Sequence, residues 1–296
     1  MHQYQWRNTL HITKHCVTCL YNRQVQRVNH CQDNTKKAAF LSEIRTALDE
    51  REANACSPYM VYIFNQIYAR YFESADEYCE IKKEYNSLVM SLEDEIEEKI
   101  NAAADSLEAS AVYARTGNYI DYGAVRDVDR ETFLSLLESD SSPGLDAQTW
   151  KSFCRKCENG SRFLLLCDNC GEIVLDKLFI RQLKKHFPHL KIAAMVRGGN
   201  VLNDATLEDA VYCGMAEEAS VIPSGIALAG TIPDLLAPQA LEALQNADII
   251  LSKGQGNYES MAGNGIPAFY SFLCKCDLFT SRFQVPKFTG MFIEES

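Results

Sequence analysis

The chain reads as an α/β protein: a helical N-terminal region beside a Rossmann-like three-layer domain with a mostly parallel sheet. Three observations predict it. Residues 1–130 carry helical periodicity and no competing strand pattern. Beyond them, short apolar runs alternate with helical segments, as parallel strands covered by helices do. Polar and glycine-rich residues follow each run, and ligands of open parallel sheets bind at that carboxyl edge.

In the helical half, Asn34–Arg51 puts Ala38, Leu41, Ile44, Ala47 and Leu48 on one face, an apolar stripe at helical spacing. Ser57-Pro58 has the form of an N-cap followed by proline at the first helical position. The apolar, aromatic run Tyr59–Phe72 then predicts a mostly buried helix. Tyr78–Leu107 is acid-rich, with Leu88, Leu92, Ile96 and Ile100 four apart, and predicts one or two exposed helices. The turn cluster Ser139–Gly144 lies close to the junction, so we expect a helical domain over 1–130 and an α/β domain over 131–296. Five strands are predicted there: Phe163–Cys167, Ile192–Val196, Ser220–Ile222, Asp248–Leu251 and Ala268–Leu273. Helices Ile173–Phe187, Thr206–Cys213 and Pro233–Asn246 separate most of them.

Composition narrows the partners. A net charge of −11 over 296 residues argues against a nucleic-acid backbone, which demands clustered Lys and Arg. It leaves room for a small phosphate ester. No apolar run approaches the roughly 20 residues of a membrane helix, and the N-terminus lacks a signal-peptide pattern, so a cytoplasmic location without a membrane partner is expected. Twelve cysteines are then expected to be reduced. The pairs Cys16/Cys19, Cys154/Cys157 and Cys167/Cys170 have C-x-x-C spacing, and any second pair could join Cys16/Cys19 in a zinc or iron–sulfur site. Inert or redox-buffered thiols are the preferred reading, because Cys167 belongs to an apolar strand and Cys154/Cys157 to a basic stretch. His11, His15 and His30 lie near Cys16, Cys19 and Cys31 without a standard zinc spacing.

The strand ends carry the chemistry. The run Phe163–Cys167 stops abruptly at Asp168-Asn169, and Asn203-Asp204 opens the helix after the second strand. Asp168, Asn169 and Asp204 together offer hard oxygen donors, suited to Mg²⁺ or Mn²⁺ rather than to a soft metal. The bland alternative makes Asp204 a helix cap and Asn169 a turn residue. Lys253 and Lys275 directly follow apolar strands and could grip a phosphate, or simply snorkel into solvent. Gly254 could let the backbone approach an anion. Arg197 and Asn257 follow the second and fourth strands, and are placed with these residues among the substrate contacts. There is no Walker A sequence, no G-x-G-x-x-G fingerprint and no G-x-S-x-G elbow.

These strand-end segments resemble a known family. D-N-C-G-E (Asp168–Glu172), R-G-G-N-V-L-N-D-A-T-L-E-D-A (Arg197–Ala210), K-G-Q-G-N-Y-E (Lys253–Glu259) and Lys275-Cys276 look like the signature of the domain-of-unknown-function 89 proteins, described as metal-dependent damage-control phosphatases. G-N-Y-I-D-Y-G (Gly117–Gly123) is similar to that family's G-N-x-I-D segment, and Cys16-Val17-Thr18-Cys19 to the C-x-x-C of its prokaryotic branch. The resemblance implies hydrolysis of phosphate monoesters, often sugar phosphates or damaged phosphometabolites, with a divalent ion (Mn²⁺, Mg²⁺, Co²⁺ or Ni²⁺) on Asp168, Asn169 and Asp204. It also implies Asn118 and Asp121 near the substrate and Lys275 on its phosphate. Cys170 stands where the family commonly has alanine, and Gly199 where other members often carry lysine.

The expected mechanism is attack by a metal-activated water, with Asp204 or Asp121 orienting it and Asp168, Asp204 and Lys275 as the catalytic set. Asp168 as a covalent nucleophile ranks lower, because a metal-ligating carboxylate is less free to attack. The alternative is a non-catalytic cysteine-rich metal module that senses a phosphometabolite. A carboxylate methyltransferase is disfavoured, because Asp168-Asn169 occupies the place of its glycine-rich loop.

Overall fold

The computed structural model describes residues 10, 12–72, 78–119 and 144–295. One six-stranded sheet organises them: β1 (Arg162–Leu166), β2 (Lys191–Val196), β3 (Ser220–Pro223), β4 (Ile249–Lys253), β5 (Ala268–Leu273) and β6 (Gly290–Glu295), in the order β3-β2-β1-β4-β5-β6. All pairings are parallel except β5 with β6. The five expected strands are present. β6 is an addition: its G-M-F-I-E-E sequence has only three apolar residues between glycine and two acids. It pairs antiparallel at the edge, where charged residues also discourage further strand pairing.

This order fixes where a ligand can enter. The chain runs outward from β1 to β2 and β3, then returns to start β4 on the other side of β1. The loops after β1 and β4 therefore diverge, leaving the crevice that marks a topological switch point. Asp168-Asn169 and Gly254 stand at that crevice.

Strand alternation sends successive side chains to opposite faces. Phe163, Leu165, Ile249 and Leu251 join one apolar cluster, whereas Leu164, Leu166 and Ile250 join another. The first face is covered by α4 (Cys79–Met90), α5 (Glu93–Ala102), α6 (Ser106–Thr116), α7 (Ala147–Asn159) and α8 (Glu172–His186). The second is covered by α11 (Pro238–Asn246), α12 (Gln255–Met261) and α13 (Asp277–Phe283). Short helices α9 (Leu207–Tyr212) and α10 (Met215–Glu218) lead from β2 to β3. Both faces are apolar, which is why β1, β4 and β5 read as unbroken hydrophobic runs.

The helical half packs in two parts. Helices α1 (Lys14–Arg27), α2 (Asn34–Asp49) and α3 (Ser57–Tyr71) bury Phe40, Ile44, Leu48 and Phe64 among themselves. Helices α4–α6 belong instead to the sheet's first face. The stretch Tyr78–Leu107 is thus not simply exposed: Val89, Leu92, Ile96 and Ile100 are buried in that core. The acids of α5 take the opposite side of the 3.6-residue period. Ser57 is not the N-cap either. Cys56 holds that position, and Ser57-Pro58 begins the helix. The expected helix Pro233–Asn246 is split into a 3₁₀ turn, Pro233–Leu235, and α11, because Pro238 can start a helix but not continue one. The expected boundary near residue 130, and residues 139–143 of the turn cluster, lie outside the described residues. No helix among the described residues is long and apolar enough to cross a membrane.

Candidate functional site

Two strand ends meet through their main chains. The carbonyl of Asp168 accepts from the amide of Ala205 at 2.7 Å, and Asn169 forms an antiparallel bridge with Asp204. Asp204 is therefore delivered to the end of β1 by the loop after β2. It does not cap α9. Thr206 is the N-cap, closing a reciprocal capping box with Asp209, so the bland reading of Asp204 does not hold.

Asp168 is held on both oxygens. Its Oδ2 accepts from Asn118 Nδ2 at 3.0 Å and from Asn169 Nδ2 at 2.8 Å. Arg197 Nη2 approaches Oδ1 at 3.4 Å. Burial, with the negative charges of Asp204 and Glu172 behind it, pushes the Asp168 carboxyl up to about 8, although Arg197 and Lys275 oppose this. Gly254 makes room for the group. A Cβ there would stand 2.0 Å from Asp168 Oδ2 and 2.2 Å from Cγ, and the residue has φ +80° and ψ 157°, a region that is essentially glycine-only. Its amide is spent on the carbonyl of Ser271, so the glycine admits a carboxylate of the protein rather than an external anion. Gly254→Ala is expected to cost about 2–4 kcal/mol, combining backbone strain and overpacking. Thermal unfolding checks this, and an unaltered melting temperature would show that the loop after β4 rearranges freely.

Arg197 is buried beneath the two acids. Nε donates to Asp204 Oδ2 at 2.6 Å, and Nη1 donates to the carbonyl of Gly230 and to Asn257 Oδ1, both at 2.9 Å. Asn257 is equally committed. Its oxygen also accepts from Thr231, and its Nδ2 donates to the carbonyls of Lys253 and Cys167. Both were expected to contact substrate. Both instead brace the strand ends, because a buried polar group without a partner is costly and these are fully engaged inside the fold.

Lys253 is the clearest correction. It shares strand parity with Ile249 and Leu251, so its side chain enters the α8 face of the sheet rather than the crevice. It is fully buried, and its ammonium donates to Glu172 Oε1 at 2.7 Å, Asp176 Oδ1 at 2.5 Å and the carbonyl of Ala114 at 3.0 Å. Burial would lower its pKa, but Asp176 and Glu172 more than reverse this and hold it above the ordinary value. Burial likewise raises Asp176, to about 7, against the pull of Lys253. Glu172 ends below its usual value. Burial alone would raise it, but Lys253 and the amide of Asn118 prevail. Three donors are used, and none is left for a phosphate.

Asn118 reaches the site from the 3₁₀ turn after α6 and donates to both Asp168 and Glu172. It supports the acids rather than the cavity wall. Asp121 lies outside the described residues. Asn169 faces Asp168 and Glu172 with its nitrogen, while its oxygen accepts from Asn203 Nδ2 at 3.0 Å.

A cavity of about 240 Å³ opens on this cluster. Asp168, Asn169, Asp204 and Lys275 line one end. The backbone amide of Lys275 is held by the side chain of Gln255. Helices α1 and α3 also line it, through residues that include Cys16 and Cys19. The three C-x-x-C pairs lie on separate elements, and no group of three or more His, Cys, Asp or Glu side chains among the described residues is arranged for a metal ion. The donors at the cavity end are chemically of another kind: two carboxylates crowded together, and one amide.

Sequence reasoning missed Glu172, Asp176 and Asn203. The spacing of Glu172 and Asp176, four apart within the otherwise apolar start of α8, was the available signal, since i and i+4 share a helix face.

Comparison with known proteins gives a consistent family. The damage-control phosphatase ARMT1-like domain matches residues 12–289. An uncharacterized protein of Methanocaldococcus jannaschii is 28% identical over 90% of this chain and 89% of its own length. A damage-control phosphatase of Archaeoglobus fulgidus is 27% identical over 74% of this chain and 77% of its own, and one of Pyrococcus horikoshii 25% over 92% and 94%. A crystal structure of a DUF89 family protein from Pyrococcus horikoshii superposes with a TM-score of 0.83, at 23% identity, covering 97% of this chain and all of the other.

Proposed function

Because this chain belongs to the damage-control phosphatase ARMT1-like family, we propose that it hydrolyses small phosphate monoesters, of the sugar-phosphate or damaged-phosphometabolite class, with a divalent ion. The observation that carries this reading is the convergence of Asp168 and Asp204, from neighbouring strand ends, on a cavity that also receives Lys275.

The donor set fits a hard cation. Burial first, and then the charge of Asp204, raises Asp168, a cost that a bound cation would offset, and oxygen donors suit Mn²⁺, Mg²⁺, Co²⁺ or Ni²⁺. Asp168 and Asp204 would hold the ion, joined by Asn169 once its amide turns end for end and gives up Asn203. When bound, such an ion neutralises phosphate charge and lowers the pKa of a water.

The chain's own residues do the rest. Lys275 would grip the phosphate oxygens as a point charge. Arg197 fixes both acids with donors already spent in the fold, so its effect on substrate is indirect. Asn118 holds Asp168 through Oδ2, which lowers that oxygen's nucleophilicity and favours direct water attack over an aspartyl phosphate. Asp204 or Asp121 would orient the water. The metal- and phosphate-binding groups would belong to residues 131–296, while 1–130 supply further lining of the cavity and Asn118. Helices α1 and α3 restrict water, which strengthens every charge interaction inside. A cytoplasmic setting with small-molecule rather than nucleic-acid partners accords with the net charge of −11.

The test is phosphate release from an ester panel with each divalent ion in turn. We expect turnover that EDTA abolishes. Lys275→Ala should lower kcat/KM by about 10²-fold, the scale of losing one charge-stabilising donor. Its effect falls on KM if the lysine grips only the ground state, and on kcat if it acts in the transition state. No hydrolysis of any ester with any ion would end the proposal. A purely metal-sensing role for the cysteines is not favoured, because the family match spans the α/β body and the C-x-x-C pairs do not assemble.

A further inference from the structure

Of the three C-x-x-C pairs, one is open to reaction. Cys167 and Cys170 are buried, and burial pushes both thiols up. Cys154 and Cys157 stand three apart on α7. Burial raises Cys154 to about 11 and raises Cys157 as well, which has no exposure. Cys16 and Cys19 differ. Cys19 is exposed, Cys16 is half-buried, and both thiols are free. Both line the cavity that holds Asp168, Asp204 and Lys275.

Their spacing on α1 suits a bond between them. Residues i and i+3 of an α-helix stand about 5 Å apart at Cα, inside the range of roughly 4.4–6.8 Å for a disulfide. Their Cβ atoms are about 5–6 Å apart, against roughly 3.5–4.5 Å in a disulfide. Linking them therefore draws the first turn of α1 together by about 1–2 Å. That turn is held by an exposed cap: Thr13 Oγ1 donates to Cys16 Sγ and accepts from the Cys16 amide, both at 3.2 Å. It also touches the phosphate end. His15 Nε2 lies 3.3 Å from Asp277 Oδ2, and Asp277 follows Lys275 by two residues. A soft metal is the rival use of two thiols, but no group of three or more His, Cys, Asp or Glu side chains among the described residues is arranged to hold one.

We propose that Cys16 and Cys19 form a reversible oxidation site on the cavity wall, converted by a peroxide to an intrahelical disulfide. Cys19, the more exposed thiol, attacks hydrogen peroxide as its thiolate. A sulfur–oxygen bond forms, the oxygen–oxygen bond breaks, and the departing hydroxide takes up a proton as water. Cys16 then attacks the sulfenic sulfur. The sulfur–sulfur bond forms, the sulfur–oxygen bond breaks, and a second water leaves. Two thiols are oxidised, one peroxide is reduced, and exchange with a dithiol reverses the change. The disulfide reshapes the α1 side of the cavity and shifts His15 against Asp277, so the oxidised protein turns over phosphate esters more slowly. That consequence rests on the phosphatase reading; formation of the disulfide does not.

The experiment oxidises the reduced, metal-free chain with hydrogen peroxide and removes the excess. Peptide mapping then reads the link, and hydrolysis of p-nitrophenyl phosphate with Mn²⁺ is measured before and after dithiothreitol. The wild type should show the Cys16–Cys19 link within the tryptic peptide His15–Arg23. Its kcat/KM should fall about tenfold or more, the scale of a 1 Å displacement in a site, and dithiothreitol should restore it. Cys16→Ser and Cys19→Ser, each compared with its own reduced form, should keep their activity through oxidation. Should Cys16→Ser fail to fold, the exposed Cys19→Ser decides alone. Peroxide that consumes other thiols and leaves this pair reduced overturns the inference. So does a linked pair with unaltered kcat/KM, or an equal loss in the serine variants, which would place the effect at another thiol. If the reduced wild type hydrolyses no ester of the wider panel, the phosphatase reading falls by itself, and the peptide map still decides whether this pair is an oxidation site.

Discussion

Asp168→Asn is expected to remove about 10³-fold or more of phosphatase turnover and, at the same time, to raise the melting temperature of the metal-free protein. The activity loss follows from deleting one of two carboxylates that would hold the ion, whose charge the reaction uses directly. The stability gain follows from the displaced acid. Asp168 titrates near 3.8 in the unfolded chain and near 8 in the fold, mainly through burial and then through Asp204 and Glu172. The folded state therefore holds the proton more tightly. That contribution is complete below pH 3.8 and is lost as the pH rises through 8. Each unit of pKa is worth about 1.4 kcal/mol, so even half of this displacement is a few kcal/mol. Asparagine copies the neutral form and does not titrate. The advantage of Asp168→Asn over the wild type should thus be small at pH 4 and large at pH 9. Added Mn²⁺ should reverse the order by stabilising only the wild type. Thermal unfolding at both pH values, with and without the ion, measures this. Equal pH profiles would show that the fold does not raise Asp168, and retained turnover would remove Asp168 from the chemistry.

Lys253→Met should have the largest effect on folding. Without the ammonium, Glu172 and Asp176 face each other in a site with no exposure to water. Removing one partner of a buried ion pair typically costs about 3–5 kcal/mol, a large part of the roughly 5–15 kcal/mol available to a folded protein. One oxygen of Asp176 already has no partner among the described residues. Adding Asp176→Asn to the Lys253→Met chain should therefore recover part of the loss, by removing the carboxylate with the weaker support. Urea midpoints at constant m-value give the comparison. A loss below about 1 kcal/mol for the single variant would mean that water reaches the site. A double variant no better than the single would mean that Glu172, not Asp176, carries the strain.

The same residue shows where reading the chain stopped. A lysine directly after an apolar strand, next to glycine, has one sequence signature whether it points into a crevice or into the core. Strand parity settles the matter, but only once it is known which face Ile249 and Leu251 occupy. Arg197 and Asn257 failed in the same way: their types suit a phosphate, and their partners are protein groups far away in sequence, Gly230, Thr231 and Cys167. Asp168 and Asp204 were legible because each follows a strand end whose position the strand–helix alternation already dictated.

By itself the sequence determined the secondary-structure periods, the five parallel strands and the acids that stand at the strand ends. These depend on local propensity and on the two-residue and 3.6-residue repeats of apolar side chains, which are written in consecutive letters. The tertiary structure alone decided which charged groups face the cavity and which neutralise one another in the core. That choice turns on burial and on partners brought together from distant segments, and the free energy of a charge depends on the surroundings that folding gives it.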